Sequence, residues 1–340
     1  MRSTNHFRVF AALAVALASV AALLVTLDSG AGAATARPAQ SVQAAALPTG
    51  PLGPPLGTSL LGAIIVKGSR TSEPAMWDSL EAGAGNNIDM AQIMYQWGMT
   101  VPSWRESYQI QHNRTPMISW GWTKTTDINS GKYDSYIRST ATGIKALGAK
   151  VFLRWFWEMD GKANASFAVS PTAFKAAWVH IHAIFASVGA TNVAWVWTPT
   201  AYGFDVGRAA QWYPGATQVD WVGADGFNWY PAVSGVAAKS FAQIYSTFYK
   251  WGIAANKPMM VGATGALETR DPMSKANWIK AIGSTVLNSY PGIRAVCYLN
   301  HTSGSYNDPN LVVHWELNTS SNSMAAWNSI AKSPVFANAR

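Results

Sequence analysis

One cysteine, Cys297, is all the thiol chemistry in this chain of 340 residues. That excludes an internal disulfide, a Cys-x-x-Cys redox pair and a cysteine-built zinc site. It sits in the apolar run Ala295-Val296-Cys297-Tyr298-Leu299, which reads as a buried, inert thiol rather than a nucleophile. No Cys/His cluster has metal-ligand spacing, and neither a metal nor an organic cofactor is indicated. Charge is sparse too, at 12% of residues, and the formal +8 comes from single Lys and Arg residues with no basic run. That pattern suits solubility or adhesion to a surface, not a nucleic-acid site. No G-x-G-x-x-G or G-K-[ST] turn follows an apolar run, so a dinucleotide or phosphate loop is not expected. No repeat of fixed short period is present.

What is abundant is apolar. Hydrophobic residues make up 49% of the chain, enough for a sizeable core. At the start, Arg2, His6 and Arg8 precede an apolar run from Phe10 to Leu27, and Ala31-Gly32-Ala33 offers a small-residue cleavage site. Residues 1–33 therefore read as a secretory signal, with an uncleaved anchor helix as the alternative. After cleavage the expectation is an extracellular protein with no membrane segment. Residues 34–56 are rich in Ala, Pro, Gln and Gly without periodicity, the composition of a linker. A single domain is expected over 57–336, with a monomer as the default.

Within that domain short apolar runs alternate with helical patterns. The runs are Leu60–Val66, Ile88–Trp97, Pro116–Trp120, Val151–Phe156, Asn192–Trp197, Asp220–Asp225, Pro258–Gly262 and Ile293–Leu299. Between them lie helices such as Lys132–Leu147, a helix opened by Ser170-Pro171 and closed near Gly189, and one capped by Ser274 with Trp278, Ile279, Ile282 and Val286 on its buried face. Eight buried strands with intervening helices predict an α/β fold, the (β/α)8 TIM barrel. An open doubly wound sheet is the competing arrangement.

In such a barrel chemistry lives where strands finish. The stretch Val151 to Gly161 passes abruptly from an apolar strand into Arg154, Trp155, Trp157, Glu158 and Asp160. Other runs end in Trp120, in Trp197, in Asp225, Phe227, Trp229 and Tyr230, and in His301. The chain has seventeen tryptophans. Indoles present flat apolar faces with a polar handle, which suits the C–H faces of sugars, and about half of them are expected in the core instead. Each strand-end residue has a plainer alternative, an Arg tying a loop or an aromatic capping the core. Their convergence at five strand ends predicts a carbohydrate cleft, with Trp120, Arg154, Trp155, Trp157, Trp197, Phe227, Trp229, Tyr230 and His301 binding a polysaccharide or oligosaccharide and Glu158 as a catalytic carboxylate.

The motifs Leu153 to Gly161, Val196-Trp197-Thr198-Pro199, Tyr213-Pro214-Gly215, Val219 to Asn228 and Lys257 to Gly262 carry a resemblance in order and spacing. On them the chain resembles glycoside hydrolase family 26, which includes secreted β-mannanases. The resemblance implies a retaining hydrolase of β-linked glycans, a mechanism that needs two carboxyl groups about 5–5.5 Å apart. It makes Glu158 the acid/base. It places the nucleophile at residue 263, where this chain has Ala263, and a methyl group cannot attack an anomeric carbon. Trp157, Asp160, Phe227 and Gly121 are further departures from the usual His, Asn, Tyr and Glu. Glu268, Asp225 or Asp160 would have to replace the lost carboxylate in an active enzyme. Without such a replacement, the protein is expected to bind glycan and not cleave it.

Overall fold

The structure, a computed structural model, describes residues 49–65, 72–304, 312–337 and 339. The expected signal, most of the expected linker and Lys67-Gly68 lie outside these residues. Among the described residues, no helix is long and apolar enough to cross a membrane.

In chain order the elements are β1 (Leu60–Ile65), α1 (Glu73–Ala84), β2 (Met90–Tyr95), α2 (Trp104–Gln111), β3 (Thr115–Trp120), α3 (Thr125–Asn129), α4 (Asp134–Ala146) and β4 (Val151–Trp155). Then come α5 (Ala165–Ala168), α6 (Pro171–Val188), β5 (Val193–Trp197), α7 (Ala201–Asp205), β6 (Trp221–Asn228), α8 (Phe241–Ala255), β7 (Met259–Ala266), α9 (Ser274–Asn288) and β8 (Ile293–Asn300). A short hairpin, β9 (Thr302–Gly304) and β10 (Val312–His314), leads to α10 (Ser321–Ala331). Strands β1 to β8 pair in parallel and in sequence order, and β8 returns to β1 to close the barrel. The (β/α)8 architecture expected from the apolar runs is the one the chain adopts.

Strand alternation sorts the core into two shells. On β4, Phe152 joins Met90, Met117, Val196, Trp221, Met260 and Cys297 inside the barrel, while Val151, Leu153 and Trp155 face the helices. Helix ends follow local chemistry. Ser170 accepts from the Ala173 N–H with Pro171 in the first turn of α6, and Gly189 ends that helix at φ 72°. Ser274 departs from expectation. It is the first helical residue of α9, Met273 holds the cap position, and the Ser274 hydroxyl lies 2.6 Å from that of Thr269.

Strands β6 and β7 run further than the apolar runs that announce them. Their pairing continues through Asp225↔Ala263, Gly226↔Thr264, Phe227↔Gly265 and Asn228↔Ala266, past an irregularity between Ala224 and Asp225. Small and polar residues break the apolar signal there, but backbone pairing needs no apolar side chain.

The described end of the expected linker is not a free tether. The Trp221 indole donates to Pro51 O at 2.8 Å, and Arg294 donates to the carbonyls of Pro54, Pro55 and Thr58. Trp221 and Arg294 stand at the starts of β6 and β8, so residues 49–58 close the N-terminal end of the barrel and the folded unit begins before residue 57. Arg294→Met leaves three carbonyls without their donor and lowers the unfolding free energy by about 2–3 kcal/mol in urea titrations. An unchanged midpoint would show that the segment is not held.

Candidate active site

Strand β4 ends at Trp155, and the chain then makes an unusual turn. Phe156 and Glu158 adopt φ values of 54° and 53°, a region costly for residues with a Cβ. Neighbouring strands hold the turn: Phe156 N–H donates to Trp120 O, and Glu158 N–H donates to Thr198 O at 2.8 Å. The Asn164 amide donates to the carbonyls of Trp157 and Glu158. The turn places Glu158 at the mouth of the barrel with only 3% of its surface exposed.

Inside the barrel, the Arg154 guanidinium is at the centre of a polar network. Its Nε donates to Ser119 Oγ at 2.9 Å, and its Nη1 donates to both carboxylate oxygens of Asp225 at 3.0 and 2.8 Å. Gln92 satisfies its amide with the nitrogen donating to Gly262 O and the oxygen accepting from Ser119 and Arg154. The pair is 1% exposed on both sides, and the Trp157 ring covers the guanidinium at 5.1 Å. Gly262 is required by this close approach, because a Cβ there would lie 2.5 Å from Asp225 Oδ1 and 3.0 Å from Arg154 Nη1.

Burial raises the Glu158 carboxyl well above the usual carboxylate range, and the charges of Asp225 and Asp160 add to it against Arg154. One of its oxygens, Oε2, has no hydrogen-bond partner among the described residues, nor has the buried Thr198 hydroxyl. Burial also raises Asp225, to about 6, although Arg154 opposes it. A carboxyl held protonated at neutral pH is the state a proton donor needs.

The other candidate carboxylates are committed elsewhere. Asp160 accepts from the Thr200 N–H at 2.9 Å and the Thr200 hydroxyl at 2.7 Å. Glu268 follows β7 but turns to the start of α10, accepting from Thr319, Ser320 and Ser323 hydroxyls at 2.9, 2.8 and 2.6 Å. Burial works to raise Glu268, yet those hydroxyls and Lys275 outweigh it and hold it low. Glu268, expected as a substitute nucleophile, is therefore held instead by the hydroxyls around Ser320, the residue that caps α10.

The aromatic set divides in the same way. Trp120, Trp155 and Trp197 are not cleft platforms but wedges between barrel and helices. Trp155 stacks on Phe174 of α6 at 5.4 Å and 6°, Trp120 on Trp97 at 4.5 Å, and Trp197 packs against Phe204, Tyr213 and Trp251. They sit at outward positions of their strands, where strand alternation sends them. Trp157 lies 4.3 Å from Trp122 over Arg154. Phe227 and Trp229 are half-buried against Trp315, Tyr230 is exposed, and His301 is half-buried with its imidazole pKa lowered by burial against the pull of Glu316. Sequence reasoning missed Gln92 and Trp315. Gln92 carried a usable signal, an amide at an inward position in the middle of an apolar run.

Residues 120–313 match the family model described as Glycosyl hydrolase family 26. The chain belongs to glycosyl hydrolase family 26. It is 30% identical over 275 residues to Endoglucanase H of Acetivibrio thermocellus, covering 76% of this chain and 29% of that one. It is 28% identical over 110 residues to a β-1,3-xylanase of a Vibrio species, covering 30% of this chain and 23% of that one. The chain spans less than a third of the length of the curated relatives it matches. A family 26 β-mannanase from Bacteroides ovatus superposes with a TM-score of 0.58 at 14% identity, covering 82% of this chain and 90% of that one. For a Bacillus subtilis mannanase the values are 0.56 and 18%, over 80% and 85%.

In this family 26 barrel Ala263 belongs to the interior cluster that also holds Leu267, Leu299 and Trp315, is 2% exposed, and is the direct strand partner of Asp225. At Gly121, a Cβ would lie 2.7 Å from Tyr95 O, so this backbone admits no longer side chain there. Trp155→Ala opens a cavity between barrel and α6 and costs about 3–5 kcal/mol, read from denaturant unfolding; a loss of glycan affinity at unchanged stability would reinstate it as a platform. The folded protein holds a proton on Glu158 that the unfolded chain releases above its ordinary value of 4.5, so this residue's contribution to stability falls as pH rises. Neutral, isosteric Glu158→Gln therefore gains on the parent protein in melting temperature as pH is raised from about 4.5 to 8. A difference constant across that range would contradict the buried, protonated carboxyl.

Proposed function

We propose that the protein is an exported, β-glycan-binding member of family 26 that keeps the acid/base carboxyl, Glu158, and has lost retaining hydrolysis at Ala263. In this reading residues 1–33 direct export, and the barrel, ending near residue 336, is the glycan-engaging unit. The observation that carries it is the engagement of Asp225. Asp225 is strand partner to Ala263, but both its oxygens are taken by Arg154 and it is 1% exposed. A nucleophile must instead present a free oxygen to the anomeric carbon. Asp160 and Glu268 are engaged by Thr200 and by the α10 hydroxyls. Trp122, Phe227 and Trp229, half-buried, offer stacking faces at the strand ends. Mannanases, β-1,3-xylanases and an endoglucanase are among the similar proteins, so a β-linked polysaccharide, mannan or a related chain, is the expected ligand.

One observation favours a second reading. Glu158 and Asp225 interact electrostatically and are both raised, Asp225 to about 6, and coupled carboxyls held at different protonation states can serve as an acid and base pair. An inverting hydrolase would use Asp225 through water. Incubation with β-mannan, glucomannan and mixed-linkage glucan is expected to give retention in affinity electrophoresis and no new reducing ends. Release of reducing ends that disappears in Glu158→Gln would overturn the non-hydrolytic assignment.

A further inference from the structure

Past the ends of β6 and β7 a cavity of about 300 Å³ opens between the loops that follow those strands and the start of α9. Asn228, Tyr230, Lys239, Asp271, Lys275 and Trp278 are among its walls. Its volume lies at the lower limit of small-molecule sites, room for one ring rather than a chain. Asn228 and Ala266 each stand three residues beyond Asp225 and Ala263, so the cavity lies about 10 Å further along the strands than the inner carboxylate layer, on the same face of the barrel.

The wall chemistry selects the ligand. Lys275 has no N–H left for a ligand, because its ammonium already donates to Trp315 O, Glu316 O and Thr319 Oγ1 at 3.3, 2.6 and 2.8 Å, and Glu268 and Glu316 oppose its charge. Of the other charged walls, Lys239 is matched by Asp271, so no wall residue offers a phosphate or carboxylate an unopposed cation with a free donor. Asn228, 8% exposed, accepts the Lys239 N–H at 3.1 Å through its amide oxygen, which leaves its NH2 group as a donor. Asp271 accepts the Met273 N–H through Oδ1 at 2.9 Å, which leaves Oδ2 as an acceptor. A donor and an acceptor in one small cavity match hydroxyl groups, each of which gives and takes a hydrogen bond. Tyr230 supplies an exposed ring, and Trp278 is held in place by its indole N–H donating to Lys239 O at 2.9 Å. Aromatic walls with a polar rim suit a sugar, apolar on its faces and hydroxylated around its edge.

We infer that this cavity is a second carbohydrate site that takes a single neutral pyranose ring, separate from the Glu158 cleft. It does not depend on whether that cleft hydrolyses anything. The ring could arrive as a chain end or free sugar, or as a side branch on a polysaccharide whose backbone crosses the barrel mouth.

The test uses the full chain, with calorimetry and saturation-transfer NMR on mannose, glucose, galactose and xylose, and affinity electrophoresis on branched and unbranched β-mannan. Tyr230→Ala and Asp271→Asn alter exposed side chains, and circular dichroism verifies their fold. Trp229→Ala serves as the perturbation of the main cleft. At least tenfold weaker binding of a free monosaccharide in both variants supports the site for chain ends. Equal loss confined to branched β-mannan supports it for side branches. Unchanged binding of every sugar overturns the site, and so does weakening of unbranched β-mannan as large as that caused by Trp229→Ala, which would make the cavity part of the main cleft. Reducing-end release in the same samples reports on Glu158 alone, so a failure of the non-hydrolytic assignment is distinguishable from a failure of the cavity to bind sugar.

Discussion

The buried contact between Arg154 and Asp225 constrains the rest of the barrel interior. Two charges this far from water are tolerable only when each is fully satisfied, and losing one partner of such a pair costs about 3–5 kcal/mol. The surrounding sequence meets that condition. Ser119 takes the Nε–H and Gln92 an Nη2–H of the guanidinium, and Gly262 gives up a side chain so that the two groups can meet. The electrostatics of the mouth then follow. One guanidinium serves a layer that holds both Asp225 and Glu158, and burial together with the charge of Asp225 makes Glu158 the group that keeps a proton.

This constraint separates ancestry from chemistry. Barrel closure, the β4 turn and the family motifs are maintained by strand pairing and packing, which is why the fold superposes on mannanases at identities below 20%. Whether a glycosidic bond breaks depends on a few carboxylate oxygens and what holds them. Here Asp225 is committed to stabilising the interior, Asp160 to anchoring the turn before α7, and Glu268 to the start of α10.

The barrel was legible because eight apolar runs, separated by helical periodicity, require parallel strands buried on both faces. The position of Glu158 just past β4 was legible because charge breaks the apolar run there, while its burial at 3% exposure was not. The strand-end tryptophans misled for a physical reason. The residue closing a run has the same composition signature whether it points into the mouth or toward the helices, and Trp120, Trp155 and Trp197 fall on the outward parity. The full length of β6 and β7 was hidden because Gly226, Thr264 and Gly265 carry backbone pairing without apolar side chains. The placement of Glu268 depends on hydroxyls more than fifty residues away in the chain, at Thr319, Ser320 and Ser323, a partnership no local pattern announces.

The segment pinned by Trp221 and Arg294 also fixes an orientation. It meets the barrel at the rim where strands begin, opposite the rim that carries Glu158, Trp229 and Tyr230. A domain or surface attached ahead of residue 49 would therefore meet the barrel at its base. The mouth that carries Glu158 points away from that mooring, so a large partner or surface at one end does not obstruct the other.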